Sequence, residues 1–92
     1  MLKMINDKFY SCRKDGFLFT LKYSDRGILS WGKAWYFYVC PENGEGKQCI
    51  ATFCTKDDGH NCYKNDCESR LWSGISEVLP AANKMLTLML ES

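Results

Sequence analysis

Six cysteines (Cys12, Cys40, Cys49, Cys54, Cys62 and Cys67) and one histidine, His60, are the side chains best suited to hold a metal, act as a nucleophile or cross-link the chain. Five of the cysteines fall within residues 40–67, with His60 among them. A zinc site would draw on Cys49, Cys54, Cys62 and Cys67, with His60 in reserve. The sulfurs of a zinc knuckle sit about two to four residues apart, so that both converge on one ion. Here both pairs read Cys-x4-Cys, and strand alternation sets Cys49 and Cys54 on opposite faces. The spacing therefore argues against zinc. Disulfides need an oxidising compartment, and an even count of cysteines in a short chain suits one. Against that, residues 1–7, MLKMIND, form no apolar signal core, because Lys3 and Asp7 interrupt them. The expectation is a cytosolic product whose cysteines behave as small buried hydrophobes, with no cofactor.

Catalysis needs more than proximity in sequence. His60 and Cys62 stand near each other, but no third group that would orient them can be named. Asp57, Asp58, Asn61, Asp66 and Glu68 are oxygen donors in one region, yet Gly59 comes too early for a calcium loop and no acid closes it. Gly44-Glu45-Gly46-Lys47 lacks the spacing and the following helix of a phosphate-binding loop. These readings point away from an enzyme and from a small-molecule substrate.

The elements that would carry these residues are legible from hydrophobic periodicity. The chain has 92 residues, 46% of them hydrophobic and 25% charged, which suits one globular domain spanning residues 1–92. No run approaches the ~18 apolar residues of a membrane span. Lys8 to Arg13 and Phe17 to Tyr23 read as strands joined by Asp15-Gly16, a strong hairpin signal. Phe17, Phe19, Leu21 and Tyr23 fall on one face of the second strand. Ser24 to Gly27 reads as a turn and Ile28 to Trp31 as a short strand. Ala34 to Cys40, almost wholly aromatic or apolar, is a central strand. Trp35, Phe37 and Val39 point one way, and Tyr36, Tyr38 and Cys40 the other. Gln48 to Thr55 is a further strand, and residues 56–65 form a polar loop.

Asn65 followed by Glu68 fits a capping box. Leu71, Trp72, Ile75, Val78 and Leu79 then give a helical period that Pro80 should end or kink, and Ala82, Met85, Leu86, Met89 and Leu90 resume it. The expected fold is α+β, an antiparallel sheet of four or five strands with two C-terminal helices, at 66–79 and 81–90, on one face.

The net charge of +1 gives no general attraction to nucleic acid, but it is unevenly spread. Residues 1–33 carry a net +4 and residues 34–92 a net −3. If the helices cover one face of the sheet, Tyr36, Tyr38 and Lys22 lie on the other, rimmed by Arg13, Lys14, Arg26 and Lys33. Tyrosine pairs apolar area with a polar tip, which suits a surface wet alone and dry when bound. That face is the expected docking site. Direct nucleic-acid contact through the aromatic strand is secondary, since an RNA-recognition fold needs a helix between its strands and none is read before residue 65.

In general make-up the chain resembles small phage-encoded anti-CRISPR proteins, through its short antiparallel sheet from Lys8 to Thr55, its terminal helices and its lack of a catalytic motif. The resemblance spans the chain in style alone and transfers no residue. It implies a non-enzymatic inhibitor in the host cytoplasm that docks on a host protein or ribonucleoprotein complex and blocks target binding or activation. The alternative is a cysteine-stapled module, by disulfide or zinc, contacting nucleic acid or an extracellular partner.

Overall fold

A computed structural model describes residues 1–24, 34–44, 46–55 and 71–91. The expected turn at Ser24–Gly27, the strand at Ile28–Trp31, the polar loop after Thr55 and the capping box at Asn65 lie wholly or mainly outside those residues. Among the described residues six strands run in the order of the chain: β1 (Lys3–Asn6), β2 (Phe9–Lys14), β3 (Phe17–Ser24), β4 (Ala34–Pro41), β5 (Gln48–Thr55) and β6 (Leu71–Trp72), followed by one helix, α1 (Ile75–Glu91). β1 to β5 form an antiparallel meander, so the α+β fold holds.

The hairpin at its start follows from two residues. Asp15 and Gly16 both take positive φ, 54° and 82°, as a type I′ turn requires at its two central positions. Lys14 then pairs with Phe17, and the register runs unbroken to Phe9 opposite Lys22.

Three features depart from the sequence reading. β1 is an additional strand, paired with β2 through Lys3–Ser11 and Met4–Tyr10. Leu71 and Trp72 are not helical; they form a short strand parallel to the end of β5. The helical period at 71–79 is real only from Ile75 onward. The third departure is that two helices become one, because Pro80 sits inside α1 without ending it. Pro80 lacks the N–H that would bond the Ser76 carbonyl one turn earlier. Both residues are exposed, so water can serve that carbonyl. The helix starts at Gly74, whose carbonyl accepts from the Glu77 and Val78 N–H groups, while Glu77 Oε1 accepts from the Ser73 N–H at 3.1 Å. That back-bond resembles half of a capping box and places an acid at the positive end of the helix.

The core lies between α1 and one face of the sheet. Phe19, Leu21, Trp35, Phe37, Val39, Ala51 and Phe53 meet Val78, Ala82 and Leu86, with Ile75, Leu79 and Leu90 packed at the margin. Phe19 and Phe37 stack across adjacent strands, and Trp72 meets Phe53 edge-on from β6. Phe17, at the hairpin end, is exposed rather than covered. Leu2 joins the same core, and its N–H donates to Asn83 Oδ1 of α1 at 2.8 Å, which ties the start of β1 to the helix.

Candidate functional site

Residues directly opposite one another in an antiparallel sheet share a face. The pairings therefore define the face that α1 leaves uncovered. One row runs Lys3, Ser11, Thr20, Tyr38, Cys49, and the next runs Phe9, Lys22, Tyr36, Thr52. A third holds Arg13, Leu18 and Cys40. Tyr36, Tyr38, Lys22 and Arg13 are thus brought together as expected. Lys14 is not, because its pairing with Phe17 puts it on the helix-bearing face. Arg26 and Lys33 lie outside the described residues.

Within this face the two tyrosines differ. Their rings stack at 6.3 Å, 22° from parallel. Tyr36 is only 6% exposed and forms a second small core with Ala34 and Cys54. It cannot meet a partner without that core opening, whereas Tyr38 is half-buried and reaches the surface. Lys47 Nζ stands 4.4 Å from the centroid of the Tyr38 ring, a cation–π contact. Burial raises the Tyr38 phenol above its ordinary value, and the Cys49 thiolate charge beside it adds to the effect. Tyr38 therefore keeps its proton at neutral pH and offers a hydroxyl that can both donate and accept.

Among the described residues the strands carry no acid. Their charged residues are Lys3, Arg13, Lys14 and Lys22, while the described acids sit in turns (Asp7, Asp15, Glu42) or on α1 (Glu77, Glu91). Lys3, Arg13 and Lys22 are all exposed on the Tyr38 face, and Lys47 approaches its ring. Lys3 and Lys47 escaped the sequence reading. Lys3 would have been found had MLKMIND been read as a strand, whereas Lys47 reaches Tyr38 from the position just before β5 and left no periodic signal.

The cysteines are placed differently from expectation. Phe37 opposes Ala51 but Tyr38 opposes Cys49, so Ile50 is an extra residue, a β-bulge. The bulge reverses the alternation, and Cys49 and Cys54 share the Tyr38 face instead of pointing apart. They remain separated along the strand by four positions of β4, roughly 13 Å at about 3.3 Å per residue, too far for both sulfurs to ligate one zinc ion. Cys62 and Cys67 lie outside the described residues. No three His, Cys, Asp or Glu side chains converge among the described residues, and none of the described helices is long and apolar enough to cross a membrane.

No family model, no curated protein and no solved structure matches the chain.

Proposed function

We propose that this chain is a small non-enzymatic inhibitor that docks on a host defence complex, in the manner of anti-CRISPR proteins, and blocks nucleic-acid target binding or activation. The observation that supports this reading is the sheet face around Tyr38. Lys3, Arg13 and Lys22 stand exposed on it, Lys47 lies over the Tyr38 ring, and none of the described strands contributes an acid. Such a surface steers an acidic or nucleic-acid-loaded partner onto one side of a molecule whose total charge is only +1. The half-buried Tyr38 supplies apolar area and a hydroxyl at its centre. The partner is a host protein or ribonucleoprotein complex in the cytoplasm, and nucleic acid is contacted only where that complex presents it.

The test expresses the chain in bacteria whose CRISPR system restricts a targeted phage. Restored plaque formation supports the reading. Loss of that rescue in the folded triple variant Lys3→Glu, Arg13→Glu, Lys22→Glu assigns it to this face. If the soluble, folded protein leaves restriction unchanged against each CRISPR type tried, the inhibitor reading is wrong. If the face instead binds labelled single-stranded DNA alone, with affinity falling steeply with salt, the protein is a nucleic-acid binder.

A further inference from the structure

The outer edge of the sheet carries a second surface, which borders the Tyr38 face along Lys3 and Arg13. β1 is exposed along its whole length, and Met1 before it with Met4 and Ile5 within it, at 68%, 61% and 62% exposure, make up half of the large apolar side chains exposed among the described residues. Which of its backbone groups point outward follows from the hairpin. A two-residue turn closes on a hydrogen-bonded pair, here Lys14–Phe17, and bonded pairs then alternate along β2. Tyr10 and Cys12 therefore bond to β3, while the N–H and C=O of Ser11 turn toward β1. The bond from Tyr23 N–H to the Lys8 carbonyl, 2.9 Å, fits the same alternation.

Lys3, opposite Ser11, thus spends its backbone groups inward. Leu2 and Met4 direct theirs outward. The Leu2 N–H is taken by Asn83. At Met4, both the N–H and the C=O face away from the sheet. The strand is held extended by the buried Leu2 side chain and by Asn83, so a partner need not order it.

We propose that this edge takes an acidic, extended segment of a partner protein as an added antiparallel strand, centred on Met4. The Met4 N–H and C=O form one bonded pair with the incoming strand, and Met1, Met4 and Ile5 cover its apolar side chains. Charge decides the occupant. Lys3, Lys8, Arg13 and Lys14 are exposed on the outer hairpin against Asp7 and Asp15 alone. A second copy paired about Met4 would bring its Lys3 to about 8 Å from this one on the same face, within a Debye length. An acidic strand places its carboxylates there instead. The bulge between Met4 and Asn6 limits the ladder, so the added strand is short and its affinity modest. The proposal rests on the inhibitor reading only in taking the partner to be a protein.

The experiment uses the whole ¹⁵N-labelled chain and a synthetic eight-residue peptide alternating valine and glutamate. Amide shifts at residues 3–6 and 10–11, with slowed hydrogen exchange at Met4, are expected, and a valine–lysine peptide should bind at least roughly tenfold more weakly. Met4→Pro removes an outward N–H alone, which an edge strand tolerates, and should abolish the shifts while leaving the circular dichroism unchanged. Lys3→Glu keeps every backbone group and should weaken binding about tenfold. It carries the test if the proline variant fails to fold. Shifts confined to Tyr38 and Lys22, no shift at millimolar peptide, equal binding by Lys3→Glu, or a dimer that sediments in place of the peptide complex would each overturn the proposal. None of these results bears on phage restriction, so the two readings fail separately.

Discussion

Truncating the two stacked tyrosines one at a time should separate the fold from the surface. Tyr36 buries nearly all of its ring against Ala34 and Cys54. Removing roughly 150 Å² of buried apolar area at about 25 cal/mol per Å² costs about 4 kcal/mol, in line with measured truncations of buried aromatics. Tyr38 keeps much of its ring in water and gives up a stack and a cation–π contact, for about 1–2 kcal/mol. A domain of this kind holds only about 5–15 kcal/mol in all, so Tyr36→Ala removes a large share and Tyr38→Ala little. Urea unfolding followed by tryptophan fluorescence reads both, since Trp35 and Trp72 lie in the main core. At a slope of about 1.3 kcal/mol per M, the Tyr36→Ala midpoint falls by roughly 3 M and the Tyr38→Ala midpoint by about 1 M. A Tyr36→Ala midpoint within about 0.5 M of the parent would refute the second core. The ring would then be available to a partner after all. The order also governs how a binding experiment is read. Loss of activity in a double tyrosine variant reports unfolding, whereas loss in Tyr38→Ala alone reports the surface.

Replacing Gly16 by Val should cost on the order of 1–3 kcal/mol through backbone strain at φ 82°. Nothing lies within 4 Å of the new Cβ, so the cost comes from φ alone, and a D-amino acid placed there by synthesis, which favours positive φ, should restore stability. Pro80→Ala returns a donor to the Ser76 carbonyl and should raise the thermal midpoint, by up to about 3 kcal/mol of stability; an unchanged midpoint would mean that the helix had already absorbed the proline. The raised Tyr38 phenol makes a pH signature. Above the ordinary value of 10.0 the unfolded chain releases this proton while the folded chain holds it, so stability falls as pH climbs through that window and is unaffected below it. The difference in urea midpoint between the parent and Tyr38→Phe should therefore shift against the parent between pH 9 and pH 11, and parallel curves would show that the phenol is not held.

Much of this fold is written in local signals. Asp15-Gly16 could serve only a tight hairpin, and the alternation of Phe19 and Leu21 with Thr20 and Lys22 set β3 in its register at once. The aromatic strand β4 divides into Trp35, Phe37 and Val39 on one side and Tyr36 and Tyr38 on the other, as its period of two requires. What was not legible depends on distant contacts. β1 buries none of its own residues, and its strand state is stabilised by β2 and by the preceding Leu2, which is buried and bonded to Asn83, 81 residues away. Leu71 and Trp72 obey a helical period with Ile75, but pairing with Cys54 and Thr55 draws them into the sheet. For so short a segment tertiary pairing outweighs periodicity.

The bulge at Ile50 is the most consequential of these hidden features, because one extra residue reassigns a whole face. Without it, Cys49 would follow the parity of Ala51 and Phe53 and point into the main core. Tyr38 would then sit opposite Ile50, with an apolar neighbour and no thiol. With it, Cys49 is exposed beside Tyr38, and Ile50 packs against the core instead. Cys49 joins the polar row from Lys3 to Tyr38 only because the bulge realigns β5 at this point. A β-bulge in a central pairing costs ladder hydrogen bonds, and such irregularities concentrate where a side chain must be re-aimed. Deleting Ile50 puts that logic to the test. The register would close without a break, because Cys49 becomes the residue before Ala51 and stays opposite Tyr38 while Ala51 stays opposite Phe37. The deletion variant should keep its far-ultraviolet circular dichroism and should label Cys49 with a water-soluble thiol reagent as fast as the parent does. The labelled cysteine is identified by mass spectrometry, since other thiols also react. Slow Cys49 labelling in the parent that quickens in the folded deletion variant would show that no bulge sets this face.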